Sequence, residues 1–216
     1  IRYIDSYLTC DGVSLEEIAQ AHSTPTYVYT GRRIQSNYER IRTAFAPLNA
    51  HIHYSIKANG NLVLVRMLSE LGAGMDAVSG GEVFRAISAG TNPQDIVFAG
   101  VGKTLQELEY AVNAGVGWFN VENLGELDYL QRIAFEHDIS GTRIALRLNP
   151  GVTANTHPHI ATGHDGAKFG LTAETIVDVL GRTNEFPRLD FAGIHVHIGS
   201  QLHDTDATVS AVKMAT

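Results

Sequence analysis

The sequence predicts a parallel α/β protein of the barrel type, and three observations carry that expectation. Short β-branched runs alternate with longer helical patterns at a step of roughly twenty residues, which is the signature of consecutive β/α units. Most junctions between them carry glycine or a helix-capping residue. No dinucleotide-type glycine fingerprint follows the first strand, and nothing signals a reversal of strand order, so a barrel is favoured over an open doubly wound sheet.

The strand-like runs lie at residues 26–29, 51–57, 74–78, 96–100, 118–122, 143–149 and 190–198, each short and rich in Val, Ile, Phe, Tyr or Trp. Helical periodicity fills 32–45, 62–71, 82–89, 105–114, 126–137 and 172–180. Capping boxes mark several helix starts: Ser14 with Glu17, Ser79 with Glu82, Thr104 with Glu107 and Asn123 with Glu126. Gly72, Gly90 and Gly115 stand where left-handed helix ends are wanted, which accounts for part of an excess of 21 glycines.

Alternation within the strands gives them two faces. Ile52, Tyr54 and Ile56 oppose His53, Ser55 and Lys57; Met75 and Ala77 oppose Asp76; Val121 opposes Glu122. Ile144, Leu146 and Leu148 oppose Arg143, Ala145, Arg147 and Asn149, and Ala192, Ile194, Val196 and Ile198 oppose Phe191, Gly193, His195, His197 and Gly199. With the apolar set on the helices, Lys57, Asp76, Glu122, Arg147 and His197 gather near the C-terminal strand ends, where barrel active sites lie. A long polar, histidine-rich connection, PGVTANTHPHIATGHDGAKFG, leaves from that same face after Asn149.

Composition narrows the function classes. Hydrophobic residues make up 44% and charged residues 18%, which excludes disordered and coiled-coil chains. A net charge of −7 without a basic run argues against nucleic acid as a partner. Apolar runs are too short to span a bilayer, and no signal-peptide pattern opens the chain. One cysteine, Cys10, allows no internal disulfide and receives no chemistry, so the expected location is the cytoplasm. The chain opens at Ile1 without Met, which reads as a missing natural start.

Residue types alone leave the chemistry open. A lysine aimed into a barrel mouth, as expected of Lys57, is desolvated and becomes an amine able to condense with a carbonyl. The bland alternative pairs it with Asp76 or Glu122 at the rim. His157, His159, His195, His197 and His203 suggest a metal-dependent hydrolase, although no acidic ligand stands close to either His-x-His pair, and packing inside the barrel explains them equally. The SGGE run at 79–82 is explained as a capping box, whereas Ser200 in HIGSQ is a plausible phosphate ligand.

In order along the chain, TPTYVY, YSIKAN, GMDAVSGGE, FNVEN, LRLNPGV, THPHIATGHDGAKFG and GIHVHIGSQ make the sequence resemble the fold-type III pyridoxal-phosphate decarboxylases, in particular their diaminopimelate branch, from about Tyr7 onward. The resemblance implies a (β/α)8 TIM-like barrel of the alanine racemase type. Such a barrel takes ~250 residues, so this one is expected to be truncated before closure, with the family's C-terminal β domain absent. Residues 1–24 are then an N-terminal segment that would pair with that domain, and 25–216 an incomplete cofactor-binding barrel.

The resemblance also assigns roles. Lys57 would bond covalently to pyridoxal 5'-phosphate, Asp76 and Arg147 would lie beside it, His197 would stack on its ring and Ser200 would bind its phosphate. Glu82 and His195 match family positions with less defined roles. The implied reaction is decarboxylation of meso-diaminopimelate to L-lysine, the last step of lysine biosynthesis, in a homodimer that takes an amino-acid substrate, binds no metal, nucleic acid or membrane, and needs parts beyond Thr216, so that the chain by itself is expected to be inactive. The alternatives are a decarboxylase of another amino acid and the metal-dependent hydrolase. Thr30, where the family often has aspartate, and Ala167 before KFG are departures without an implied change of substrate.

Overall fold

The computed structural model describes residues 1–150, 169–199 and 205–216. The chain enters through a small antiparallel sheet of β1 (Arg2–Ile4), β2 (Tyr7–Cys10) and β3 (Val13–Ser14), then α1 (Leu15–His22). Sequence periodicity does not reveal these strands because each is at most four residues long. Their turns are nonetheless written locally: Asp5, Ser6, Asp11 and Gly12 all take positive φ.

The strand expected at 26–29 is absent. That segment runs between α1 and α2 (Gly31–Phe45) with Tyr27 90% exposed and no sheet pairing. Aromatic and β-branched residues favour a strand only where a neighbour offers a ladder and a packed face, and neither is present here among the described residues. At the start of α2, Thr30 provides no side-chain cap; Asp11 Oδ2 instead accepts the Arg32 amide at 3.1 Å, tying the helix to the small sheet.

The β/α succession follows: β4 (His53–Ser55), α3 (Leu62–Glu70), β5 (Gly74–Ala77), α4 (Gly80–Ser88), β6 (Ile96–Phe98), α5 (Leu105–Asn113), β7 (Trp118–Val121), α6 (Leu124–Glu136), β8 (Thr142–Leu148), α7 (Ala173–Gly181), β9 (Leu189–Val196) and α8 (Asp206–Ala215). The six strands β4 to β9 form one parallel sheet in strict chain order. A doubly wound sheet reverses its order at a switch point, whereas a barrel wall is laid down stave after stave, so this is barrel architecture. The wall is not closed: β4 and β9 are its edges.

Helix patterning is the source of the core. Val65 and Leu68 of α3, Val83 and Ala86 of α4, Leu108, Ala111 and Val112 of α5, and Leu127, Leu130, Ile133 and Ala134 of α6 recur at three- and four-residue spacing and are buried. They pack on Met75, Ile96, Phe98, Phe119, Val121, Ile144 and Leu146, the helix-facing residues of the strands. Gly72, Gly90 and Gly115 take the left-handed helix-ending conformation expected of them.

Two strand readings need correction. The run at 51–57 is a strand only over His53–Ser55, after which Ile56–Ala58 forms a 3-10 turn. Ile56 drops into the core and the Tyr54 hydroxyl donates to the Asn59 carbonyl at 3.0 Å, pulling the chain out of the sheet. In β9, a bulge pairs Ile144 with Phe191 but Ala145 with Gly193, so Ala192 is skipped. Phe191 therefore joins the helix-facing set, against Phe186, rather than the face of Gly193 and His195. Beyond the bulge the expected alternation holds, with His195 in register with Arg147.

Candidate active site

Every strand of the parallel sheet delivers a side chain or backbone segment to one cavity of about 440 Å3 at the C-terminal strand ends. Lys57 comes from the turn after β4, Asp76 from β5, residues 99–102 from the segment after β6 and Glu122 from the end of β7; Arg147 belongs to β8 and His195 and His197 to the end of β9. The alternation read from the sequence placed Asp76, Glu122, Arg147 and His197 here, and the structure brings them together. Phe169, the first described residue after the long connection, closes one side, its ring 5.7 Å from the Arg147 guanidinium carbon.

Lys57 reaches the same cavity from a different backbone setting. The 3-10 turn lifts it off the strand and leaves it exposed, so the desolvation expected of a lysine on the strand does not occur. It forms no ion pair with Asp76 or Glu122, which removes the rim-pairing alternative. Asp76 is instead fixed by its neighbour in register, Ser55, whose hydroxyl donates to Oδ2 at 2.6 Å.

Arg147 and Glu122 are both buried, and Arg147 Nη1 donates to the two Glu122 oxygens at 2.8 Å each. Burial pushes the Glu122 carboxyl above its ordinary range, and the charges of Arg147 and Lys103 pull it back only in part. Burial, then the positive charge of Arg147, pushes His195 down to about 3. Its Nδ1 is buried without a hydrogen-bond partner among the described residues. His197 is lowered in the same sense, again mainly by burial.

A neutral His195 has a testable sign. Its folded value lies below the ordinary 6.5, so its contribution to stability is complete above that value and drains away as pH falls toward 3. In the cofactor-free protein, the ring resonances of His195 followed by NMR are expected not to titrate above about pH 5. A midpoint near neutrality would show that the imidazole is not desolvated.

The rim around the cavity is laced from unit to unit. Glu82 Oε2 accepts the Val78 amide at 2.8 Å and Ser79 Oγ accepts the Glu82 amide, so this acid braces the strand end rather than lining the cavity. Glu107 completes its capping box with Thr104 and also accepts the Gly80 amide at 2.8 Å, joining α5 to α4. Lys103 Nζ reaches Glu126 Oε2 at 3.0 Å and the Gly100 carbonyl at 2.6 Å. Sequence reasoning missed Lys103; its only local sign is a lone cation between glycines and a capping threonine.

Ser200, His157, His159 and His203 lie outside the described residues. Among the described residues, no three His, Cys, Asp or Glu side chains are grouped so as to hold a metal ion. No helix there is long and apolar enough to cross a membrane.

Residues 31–216 match the family model of the pyridoxal binding domain of pyridoxal-dependent decarboxylases. The chain belongs to this family. It is 45% identical to the diaminopimelate decarboxylase of Aquifex aeolicus over 99% of its length, covering 50% of that protein. It is 41% identical to that of Neisseria meningitidis serogroup B over 94%, covering 49%. Among solved structures, Helicobacter pylori diaminopimelate decarboxylase complexed with L-lysine superposes with a TM-score of 0.88 at 37% identity, over 93% of this chain and 52% of that one. The M. jannaschii diaminopimelate decarboxylase, also with L-lysine, gives 0.89 at 33% identity, over 99% and 51%. The chain thus spans about half the length of the curated relatives it matches.

The site of this pyridoxal-dependent decarboxylase domain fits its family's cofactor. Its volume falls in the ~300–1,000 Å3 range of small-molecule pockets. Its lining supplies a primary amine for an aldehyde, a cation for an anionic group, a carboxylate and two flat imidazoles. One of those imidazoles, His195, carries the unpartnered buried nitrogen.

Proposed function

We propose that this chain is the cofactor-anchoring part of an enzyme that decarboxylates meso-diaminopimelate to L-lysine and carbon dioxide, the last step of lysine biosynthesis in the cytoplasm. The observation that carries this reading is the identity of about 40% or more, over nearly the whole chain, with diaminopimelate decarboxylases. Solved relatives holding L-lysine, which is the product of that reaction, support it further.

Lys57, exposed on its turn at the cavity, is the residue that would hold the cofactor covalently through its side-chain amine. Pyridoxal phosphate would supply there an electron sink for the electron pair left on the α-carbon when carbon dioxide departs, a pair that a proton then takes up. Asp76, oriented by Ser55, lines the same cavity as Lys57. Arg147, held by Glu122, presents a fixed cation whose direction is set before anything binds. His197 offers a ring face to the cofactor, and Ser200 is the proposed phosphate ligand.

The exposed Tyr3, Tyr7 and Val13 of the small sheet support a role for residues 1–24 in covering a further β domain. The enzyme is proposed to act as a homodimer. Carbon dioxide release by the full-length enzyme from meso-diaminopimelate, L-ornithine, L-arginine and L-lysine tests the reading. Release from meso-diaminopimelate alone is expected; preferential release from one of the others would replace the substrate while leaving the cofactor assignment in place.

A further inference from the structure

The most deeply buried cation described here has no part in the roles assigned above. The Lys103 side chain is 0% exposed and its partner Glu126 5%. A buried ion pair is poor value as a source of stability, because removing both charges from water offsets most of their attraction. Well-packed apolar residues of the same volume would serve the fold equally well. A pair retained at the edge of a ligand cavity calls for another account.

Its two hydrogen bonds point to one. Lys103 Nζ donates to the carbonyl of Gly100, in the segment that walls the cavity after β6. That wall has little freedom: Gly100 has φ +101, and a Cβ there would come within 2.7 Å of the Val78 carbonyl oxygen. The other bond goes to Glu126 Oε2, the same oxygen that accepts the Glu122 amide at 2.9 Å. Glu122 in turn grips Arg147. One ammonium therefore ties the β6 wall to the backbone that carries the carboxylate orienting Arg147.

We infer that Lys103 is a positioning residue of the cofactor cavity, holding the Gly100 wall and the Glu122–Arg147 pair in fixed relation through Glu126. The inference rests on the cavity being the pyridoxal phosphate pocket. Burial lowers the Lys103 pKa, and the Glu126 carboxylate beside it opposes the shift.

The test compares wild type, Lys103→Met, Glu126→Gln and the double variant. Three quantities are read: the dissociation constant for pyridoxal phosphate, the visible spectrum of the bound cofactor and the Tm of the cofactor-free protein. Lys103→Met is expected to weaken cofactor binding roughly tenfold, the size of effect that losing an outer hydrogen-bond partner has at other ligand sites. The spectrum should shift with it. The double variant should be no weaker than the worse single one, because both changes cut the same tether.

Dissociation constants within about twofold of wild type in both single variants would overturn the proposal, even if Tm falls, since stability alone would then be what the pair provides. Should Lys103→Met fail to fold, Glu126→Gln, which keeps shape and an acceptor oxygen, decides by the same criterion. Wild-type protein that takes up no pyridoxal phosphate would overturn the assignment of the cavity, and the Lys103 proposal with it.

Discussion

In the full-length enzyme, Lys57→Ala is expected to abolish the visible absorbance of covalently held pyridoxal phosphate and to lower decarboxylation by several orders of magnitude. The reason is chemical rather than structural. Lys57 is exposed, makes no ion pair with the cavity carboxylates and sits on a turn whose burial is supplied by Ile56. Its truncation therefore removes an amine and little else, and the stability of the cofactor-free protein should change by no more than about 0.5 kcal/mol, the ordinary range of surface substitutions. Absorbance spectroscopy with a melting curve on the same sample checks both halves. A retained cofactor band would move the covalent attachment to another lysine, and a collapsed melting curve would mean that the turn matters more than its position suggests.

The second large effect belongs to stability. Arg147→Leu leaves the Glu122 carboxylate buried without its charge partner and should cost about 3–5 kcal/mol by denaturant unfolding at neutral pH. The pH dependence has a definite sign. A carboxyl held above its unfolded value of 4.5 stabilises the fold below that value and loses this contribution as pH rises through its folded value. Without Arg147 the folded value climbs further, so the deficit should shrink on acidification toward the unfolded value and be complete at neutrality. Adding Glu122→Gln should restore part of the loss, because the uncompensated charge is then gone. A deficit equally large in acid would show that packing around Arg147, including its contact with Phe169, outweighs the ion pair.

What could be read from the sequence divides along physical lines. N-caps at Ser79, Thr104 and Asn123, and helix ends at Gly72, Gly90 and Gly115, are local, and the structure follows them, although only Thr104 with Glu107 closes the reciprocal box: Glu82 and Glu126 accept the amides of Val78 and Glu122, one residue before the cap. Strand alternation is nearly as local, and it was enough to bring Asp76, Glu122, Arg147 and His197 to one end of the sheet. The misreadings came where a neighbour decides. Residues 26–29 have strand chemistry but no ladder, the β9 bulge exists only relative to β8, and Lys57 leaves its strand because the Tyr54 hydroxyl captures the Asn59 carbonyl. Lys103 and Glu126 lie 23 residues apart in different β/α units, and no periodicity connects them.

Barrels of this kind are often regarded as assemblies of interchangeable β/α modules. The laced rim argues otherwise here. Ser55 holds Asp76 of the next stave, Glu107 closes on Gly80 of the one before, Lys103 reaches forward to Glu126, and Arg147 reaches back to Glu122. Each module is thus finished by side chains that its neighbours own. A single interior unit transplanted into another barrel would arrive with its strand and helix intact but with its rim half built, and it would leave two orphaned partners behind. The rim of this site is thus built by the run of adjacent staves from β4 to β8 together, not by any one of them.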